Sequence, residues 1–412
     1  MKPTERSAAL LAAAEALARD VLPLHAAATD HEERTPVAGL RAVQAVGLAD
    51  AAIPDAAGSA LTLLDLCRIA ERLGAGCPST ALCLIMHWTS CLYLGDWVPP
   101  LAREADGAGI RRLRDKVFAA VRARDAWISN CYGEPGSGAA IHRPFTQATP
   151  VQDAWIIDGV KFGTMADHAD LLQFHARVAD AGEGIRPDIV QFVTPASAPG
   201  IKIERISGMV GVRGAAPFRV TFSRHRIPDE DRFGAVGLFD AAAVAYPYAA
   251  LLLSAPYLGL AQASLDGALR HLSARVAQGA QTPLLAFPHL RHGLADLAVE
   301  LEAARALLYR AAEALPYPPP AHRRLVEAAK VAVARMVVHV TSEAMRLCGA
   351  RMLMRHFPLE RMMRDSHAAA LHPPSIPESL ETIADSLAPA ERDTLTPRLA
   401  ESPVEDDLPR QP

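Results

Sequence analysis

The sequence predicts an α+β protein in which helical segments lie on either side of a short run of strands. Apolar residues recur at helical spacing over residues 1–125, short runs bounded by Gly and Pro follow over 126–234, and long helical periods return over 235–387. We therefore expect an N-terminal helical domain, a small middle β domain and a C-terminal four-helix bundle. A chain of 412 residues that is 50% hydrophobic can bury the core that these domains need.

The N-terminal domain shows the helical repeat at its start and again near residue 65. The charged residues Glu15, Arg19 and Asp20 interrupt the first apolar run, which is typical of an amphipathic helix and not of a signal peptide. We therefore expect a cytoplasmic protein. The apolar positions of the two runs are Ala9, Leu10, Ala13, Leu17 and Val21, then Leu63, Leu66, Ile69 and Leu73.

The middle segment changes to the period of two that marks a half-buried strand. Phe218, Val220 and Phe222 alternate with polar residues, so they are expected to point to one face of a sheet. The runs predicted as strands are 155–162, 171–178, 189–193, 201–206 and 218–227.

In the C-terminal segment, leucines and alanines from Leu290 to Leu308 follow the helical repeat, and a proline-rich break at 316–320 precedes the next helix. Residues 388–412 combine prolines and charges with little to bury, which predicts a disordered tail.

The stretch between Asp240 and Asp266 carries no charge and is long enough to cross a bilayer. Pro247, Pro256 and the lack of a flanking basic cluster argue against a membrane span. A helix that is apolar all round also suits the centre of a bundle, and we favour that interpretation.

Charge and cysteine content exclude several classes of function. The formal net charge is −4 and the basic residues are scattered, so nothing indicates a nucleic-acid partner. The six cysteines form no C-x-x-C pair and are expected to be free, buried thiols.

No metal site is predicted. His289 and His292 have no carboxylate at ligand spacing, and Asp296 and Glu300 lack the Glu-x-x-His pairs of a di-iron bundle.

Several motifs in order resemble those of acyl-CoA dehydrogenases. The run PLERMMRD at 358–365 is similar to their P-L-E-R-x-x-R-D stretch, and ERLG at 71–74 to the E-x-L-G of their first domain. EPGSG at 134–138 resembles the turn that opens their β domain. LGLAQ at 258–262 resembles their long bundle helix. The resemblance covers almost the whole chain and implies the helical, β, helical order and a flavin cofactor.

The same resemblance implies which residues hold the flavin, with FAD expected and FMN possible. The residues expected to contact it are Tyr132, Gly133, Gly136, Gly138, Thr164, Arg275 and Gly349. Thr164 matches the family's Thr that meets flavin N5, and Arg275 matches the Arg that reaches the pyrophosphate across a subunit interface. Two departures stand out: Gly133 replaces a Thr, and the G-G-x-G segment reads GARM from Gly349.

The departures extend to the catalytic base. Where many family members carry the Glu that removes the α-proton of a thioester, this sequence has Pro373. In one branch the Glu lies in the long bundle helix, and the corresponding residue here is Ala249. Neither Pro nor Ala can act as a base, so ordinary dehydrogenation is disfavoured.

Two histidines are predicted to replace that chemistry. His372, in LHPP, resembles the L-H-D-P stretch of reduced-flavin monooxygenases with the same fold, and His87 falls in the helix where that branch carries another His. A neutral imidazole can stabilise a peroxide or transfer a proton. The alternative for each is a core histidine bonded to backbone.

The sequence therefore predicts a flavin-dependent monooxygenase or oxidase that acts on a small organic or thioester substrate with molecular oxygen. A separate flavin reductase is a possible partner, and a homotetramer or homodimer is expected from the resemblance. Two alternatives stay open: a dehydrogenase of acyl-CoA or acyl-carrier thioesters with a relocated base, and a non-enzymatic scaffold that has lost flavin.

Overall fold

The computed structural model describes residues 4–55, 58–95, 107–123, 126–136, 143–179, 189–234, 236–237, 246–314 and 320–387. Along these residues the chain runs from helices to strands and back to helices, which confirms the predicted α+β class. The predicted tail at 388–412 and Gly138 lie outside the described residues.

The N-terminal part is helical. Side chains at two helix starts accept hydrogen bonds from otherwise unpaired backbone amides: Thr4 from the amide of Ser7, and Thr62 from the amide of Asp65, whose carboxylate bonds back to the amide of Thr62. The helices are α1 (Glu5–Asp20), α2 (Leu22–His31), α3 (Val37–Ala45), α4 (Leu63–Gly76), α5 (Pro78–Leu94) and α6 (Gly107–Arg122).

The middle part is one mixed sheet. Its strands are β1 (Ile128–Cys131), β2 (Gln147–Val151), β3 (Ala154–Thr164), β4 (Leu171–Val178), β5 (Ile189–Pro195), β6 (Ile201–Arg205) and β7 (Pro217–Pro228). The strand order is β1-β4-β2-β3-β7-β6, and β5 pairs with β4. The aromatic rings of Phe174, Phe192 and Phe222 pack beside one another in the core of the sheet, with the centroids of Phe174 and Phe222 4.5 Å apart.

The C-terminal part is again helical. Its first helix comes from the uncharged stretch, is buried along much of its length and packs against helices of both helical parts. Among the described helices none has the length and hydropathy of a membrane span. The helices are α7 (Tyr246–Ala274), α8 (Pro288–Glu313), α9 (Pro320–Cys348), α10 (Pro358–Ser366), α11 (Ala368–Leu371) and α12 (Ile376–Leu387).

Two glycines let α4 and α7 cross at backbone contact. A Cβ added to Gly259 would lie 1.9 Å from the carbonyl oxygen of Glu71, and one added to Gly74 would lie 2.2 Å from that of Pro256. The same crossing holds a buried carboxylate, because Glu71 is 1% exposed and accepts a hydrogen bond of 2.9 Å from Nε of Arg305 on α8. The close approach of the two helices explains why the ERLG and LGLAQ motifs each contain a glycine.

The PLERMMRD motif joins all three parts of the chain. Arg364 on α10 binds both oxygens of Asp30 on α2, at 2.9 and 2.7 Å, and donates to the carbonyl oxygen of Val210. The neighbouring Asp365 accepts a 2.6 Å hydrogen bond from the amide of Val212. These contacts fix the start of the segment that leads to His372.

All six cysteines are buried and unpaired, as predicted.

Candidate active site

Three of the predicted cofactor residues lie together where β1 and β3 meet. The carbonyl oxygen of Gly133 accepts a 2.8 Å hydrogen bond from the amide of Phe162, and Ser129 Oγ donates at 2.9 Å to the carbonyl oxygen of Thr164. Tyr132 is half-buried beside Gly133, and its hydroxyl donates at 2.9 Å to the side-chain oxygen of Gln191. The strands therefore place Tyr132, Gly133 and Thr164 in one neighbourhood.

Space is available at Gly133. A Cβ added there would lie 3.6 Å from Cβ of Phe162, which is ordinary van der Waals contact. Packing among the described residues therefore does not explain why this position lacks the Thr that the resemblance leads us to expect.

A buried ion pair supports this part of the site. Lys161 Nζ lies 2.6 Å from Oε1 of Glu134, and the two side chains are 0% and 2% exposed. Glu134 also accepts from the amides of Phe145 and Thr146. Burial lowers the pKa of Lys161 to about 8, although the neighbouring carboxylate opposes the shift. The pair fixes the EPG turn against β3.

Gly136 has a φ of +79°, a conformation that side chains other than Gly seldom adopt. It lies in the turn after Glu134, and no atom of the described residues other than its chain neighbours lies within 4 Å of the position of an added Cβ.

Arg275 and Gly349 lie at the same end of the C-terminal helical bundle. Arg275 is exposed just past α7, and Gly349, with a φ of +88°, follows α9. His271 lies near both, because its ring donates a hydrogen bond to the backbone carbonyl oxygen of Cys348, and burial with the charges of Arg275 and Arg351 lowers its pKa. Three basic side chains therefore share this end of the bundle.

His372 lies against α7. Its Nε2 is 2.7 Å from the hydroxyl of Tyr257, which is fully buried. Its backbone amide donates at 3.1 Å to the carbonyl oxygen of Ala368, which continues the turn of α11. Burial, together with the positive charge of Lys330, lowers the pKa of His372 to about 4. The imidazole is therefore neutral at physiological pH.

Lys330 on α9 is buried and donates to the carbonyl oxygen of Ala369, three residues before His372. Burial lowers the pKa of Lys330 to about 8, against the effect of the nearby Glu327. The side chain thus connects α9 to the segment that carries His372.

No carboxylate occupies either position that the resemblance assigns to the base. Ala249 on α7 is 5% exposed, and Pro373 follows His372 directly. The buried Asp365 has a pKa raised to about 7, chiefly by burial. Its carboxylate accepts the hydrogen bond from the amide of Val212 and so belongs to the contacts that join the three parts of the chain.

His87 lies in the core of α5. It is 0% exposed, its Nδ1 accepts a 3.1 Å hydrogen bond from the amide of Ile128, and its ring packs 4.9 Å from that of Trp127. Burial lowers its pKa to about 4. A catalytic role for His87 stays a prediction, and these contacts favour the alternative of a core histidine.

Tyr257 and Lys330 are the two residues of the site that sequence reasoning missed. One signal was available for each. A Tyr hydroxyl in an uncharged, buried helix needs a hydrogen-bond partner. A Lys is almost never fully buried unless its ammonium group is paired.

Three family descriptions match successive parts of the chain: the acyl-CoA dehydrogenase N-terminal domain over residues 4–97, the middle domain over 129–225 and the C-terminal domain over 239–371. The short-chain specific acyl-CoA dehydrogenase of Bos taurus mitochondria is 28% identical over 357 residues, which are 86% of this chain and 83% of that protein.

Solved structures with the same fold include relatives with different flavins. The FAD complex of PigA has a TM-score of 0.80 at 20% identity, covering 94% of this chain and 99% of that one. FMN-bound TdsC from Paenibacillus sp. A11-2 has a TM-score of 0.80 at 21% identity, covering 92% and 96%. The fold, its motifs and the matched domains together show that this chain belongs to the acyl-CoA dehydrogenase superfamily, a group of flavin-dependent oxidoreductases.

Proposed function

We propose that this protein is a flavin-dependent oxidoreductase that reacts with oxygen, as a monooxygenase or oxidase, and does not deprotonate a thioester. One observation carries the proposal. Where the family's carboxylate is expected, the chain presents Pro373 and a neutral His372 hydrogen-bonded to Tyr257, while Ala249 leaves the alternative position equally without an acid.

The residues present fit a flavin. The room at Gly133 and the neighbouring Tyr132 and Thr164 suit the ring system, and Arg275 with Gly349 suits a phosphate-containing tail. We propose FAD as the cofactor because two basic side chains, Arg275 and Arg351, supply charge for a pyrophosphate. FMN is the alternative, since its single phosphate needs fewer such contacts.

A bound flavin supplies two-electron transfer and reactivity toward oxygen. The contribution of His372 is a neutral ring that donates a hydrogen bond to an oxygen atom of the ligand. With a pKa of about 4, it is protonated in only about one molecule in a thousand at pH 7, so it is poorly suited to act as an acid.

The substrate class is proposed as a small organic molecule or a CoA or carrier thioester, the latter because the curated relatives act on acyl-CoA. A flavin reductase would be required if the flavin arrives already reduced. We propose a homodimer or homotetramer, because Arg275 is exposed at the end of α7 and would act on the flavin of a neighbouring subunit.

The first test is the spectrum of purified protein after incubation with FAD or FMN and desalting. We expect a yellow protein that retains one flavin per chain. A protein that stays colourless with both flavins would instead be a scaffold without cofactor, and the proposal would be withdrawn.

The second test separates oxygen chemistry from dehydrogenation. Under anaerobic conditions we expect butyryl-CoA and longer acyl-CoA esters to leave the flavin oxidised. Rapid bleaching would identify a dehydrogenase with a relocated base and would contradict the oxygen-based assignment.

The third test examines His372 directly. Reduced holoprotein is mixed with aerated buffer, and His372→Ala is compared with His339→Ala, whose ring is exposed on α9. Loss of a donor positioned at a developing charge slows a reaction by roughly a hundredfold. We expect a slowing of that order for His372→Ala alone, with unchanged flavin affinity; equal rates in all three proteins would remove His372 from the mechanism.

A further inference from the structure

The hydrogen bond between Tyr257 and His372 has a direction that the surrounding structure determines. The Tyr257 hydroxyl is fully buried, and within the described residues His372 Nε2 is its hydrogen-bond partner. If the hydroxyl accepted from Nε2–H, its own hydrogen would be left without an acceptor, which is costly inside a protein. The favoured arrangement therefore has the hydroxyl donating to an unprotonated Nε2.

A neutral imidazole carries one hydrogen, so an unprotonated Nε2 places that hydrogen on Nδ1. Tyr257 keeps its own hydrogen at any ordinary pH because burial, with the charge of Asp365, raises its pKa well above the usual value. Among the described residues Nδ1 of His372 has no hydrogen-bond partner, and His372 is only partly buried. The Nδ1–H group is thus available to a ligand.

Lys330 holds the same ring in two ways. Its ammonium group donates to the carbonyl oxygen of Ala369, which fixes the turn whose next residues lead to His372. Its positive charge also disfavours a second proton on the imidazole. Glu327, one helical turn earlier on α9, lies near enough to moderate that charge.

We propose that Tyr257 and Lys330 are positioning residues for His372: Tyr257 selects the tautomer with its hydrogen on Nδ1, and Lys330 acts on the ring through the turn that it fixes and through its charge, so that Nδ1–H is offered as a hydrogen-bond donor to a ligand oxygen. The use of this donor in catalysis rests on the proposed function. The assignment of the His372 tautomer is independent of the proposed function.

The experiment is nitrogen-15 NMR of holoprotein labelled on its histidine rings, with the His372 signals identified by their loss in His372→Gln. We expect wild-type His372 to show a proton on Nδ1 and a bare Nε2. In Tyr257→Phe, which removes only the hydroxyl, we expect the proton to move to Nε2 in a large share of molecules. A proton on Nε2 in the wild-type protein would overturn the proposal.

Lys330→Met, which retains most of the side chain's length without its charge, is followed by the same method across pH. We expect the His372 pKa to move upward when this charge is removed, and Lys330→Arg to restore the wild-type value. Identical titrations in all three proteins would remove Lys330 from the proposal.

The reaction of reduced holoprotein with oxygen separates this proposal from the proposed function. If Tyr257→Phe shifts the tautomer and slows that reaction at least tenfold with unchanged flavin affinity, both stand. A shifted tautomer with an unchanged rate in Tyr257→Phe and His372→Ala would leave the hydrogen-bond assignment correct and would remove His372 from the proposed reaction with oxygen.

Discussion

Lys161 and Glu134 form an ion pair of 2.6 Å inside the β domain, with both side chains almost completely removed from water. Buried charges are costly unless each has partners, and this carboxylate has two further backbone amides. The pair joins the centre of β3 to the EPG turn, next to the Gly133 backbone that we assign to the flavin. It therefore links the stability of the sheet to the shape of the site.

We expect Lys161→Met to lower the free energy of unfolding by about 3–5 kcal/mol, because it leaves the Glu134 carboxylate buried without its countercharge. Urea unfolding measures the change. The matched control is Lys202→Met, whose partner Glu204 lies at 2.7 Å in an exposed pair, and which should cost less than about 1 kcal/mol. Equal losses in the two variants would contradict the assignment.

The crossing of α4 and α7 leads to a second prediction. Gly259→Ala would force a methyl group against the carbonyl of Glu71, at the 1.9 Å position described for a Cβ, and overpacking of this kind costs about 1–3 kcal/mol or more. In the same helix, a Cβ added by Gly267→Ala would lie 3.3 Å from a terminal carbon of Leu359 and 4.0 Å from a guanidinium nitrogen of Arg270, and the variant gains helix propensity. We expect a lower melting temperature for Gly259→Ala and little change for Gly267→Ala.

The order of helices and strands could be predicted from the sequence because apolar side chains repeat with the period of each element. β1 and β2 were missed, since the sequences ISNC and QATPV carry too few alternating apolar residues to indicate a strand. β1 depends on a partner that is distant in sequence, since its Ile128 lies opposite Leu171 of β4. β2 pairs with the adjacent β3, in which Ala154 lies opposite Val151.

The site was only partly predictable for the same reason. His372 could be identified by its place in a motif, but its partner Tyr257 is 115 residues away, and no local pattern records that contact. The sequence shows directly that position 373 has a proline and no carboxylate. It does not show that His372 is neutral, because the pKa of His372 depends on its burial and on Lys330 from another helix.

Gly133 offers a test of flavin binding by addition of a side chain. Gly133→Thr fits, since its Cβ would be in ordinary contact with Phe162, and it restores the hydroxyl that the family has at this position. One added hydrogen bond contributes about 0.5–1.5 kcal/mol, so we expect the flavin dissociation constant to fall by roughly two- to tenfold. Fluorescence titration with FAD and FMN measures it.

The control for that variant is Gly133→Ala, which adds the Cβ without the hydroxyl and should leave the flavin dissociation constant near the wild-type value. Weaker binding in both variants would show that the flavin lies so close to the backbone at position 133 that only a glycine fits there.

His87 leads to a prediction about acid stability. Its folded pKa of about 4 lies below the ordinary value of 6.5, so the unfolded chain takes up a proton first as the pH falls. The stabilisation is fully present above pH 6.5 and is lost as the pH falls toward 4. From this group alone the free energy of unfolding should drop by roughly 2 kcal/mol between pH 7.5 and pH 5.

His87→Gln removes the titrating ring and keeps an acceptor for the amide of Ile128. We expect this variant to be less stable than wild type at pH 7.5 but to lose less stability on going to pH 5, as measured by urea unfolding at both values. His339→Gln changes a half-exposed ring and should follow the wild-type profile. A variant profile parallel to wild type for His87→Gln would mean that His87 is already protonated in the folded protein at pH 5, and would reopen a titrating role for this histidine.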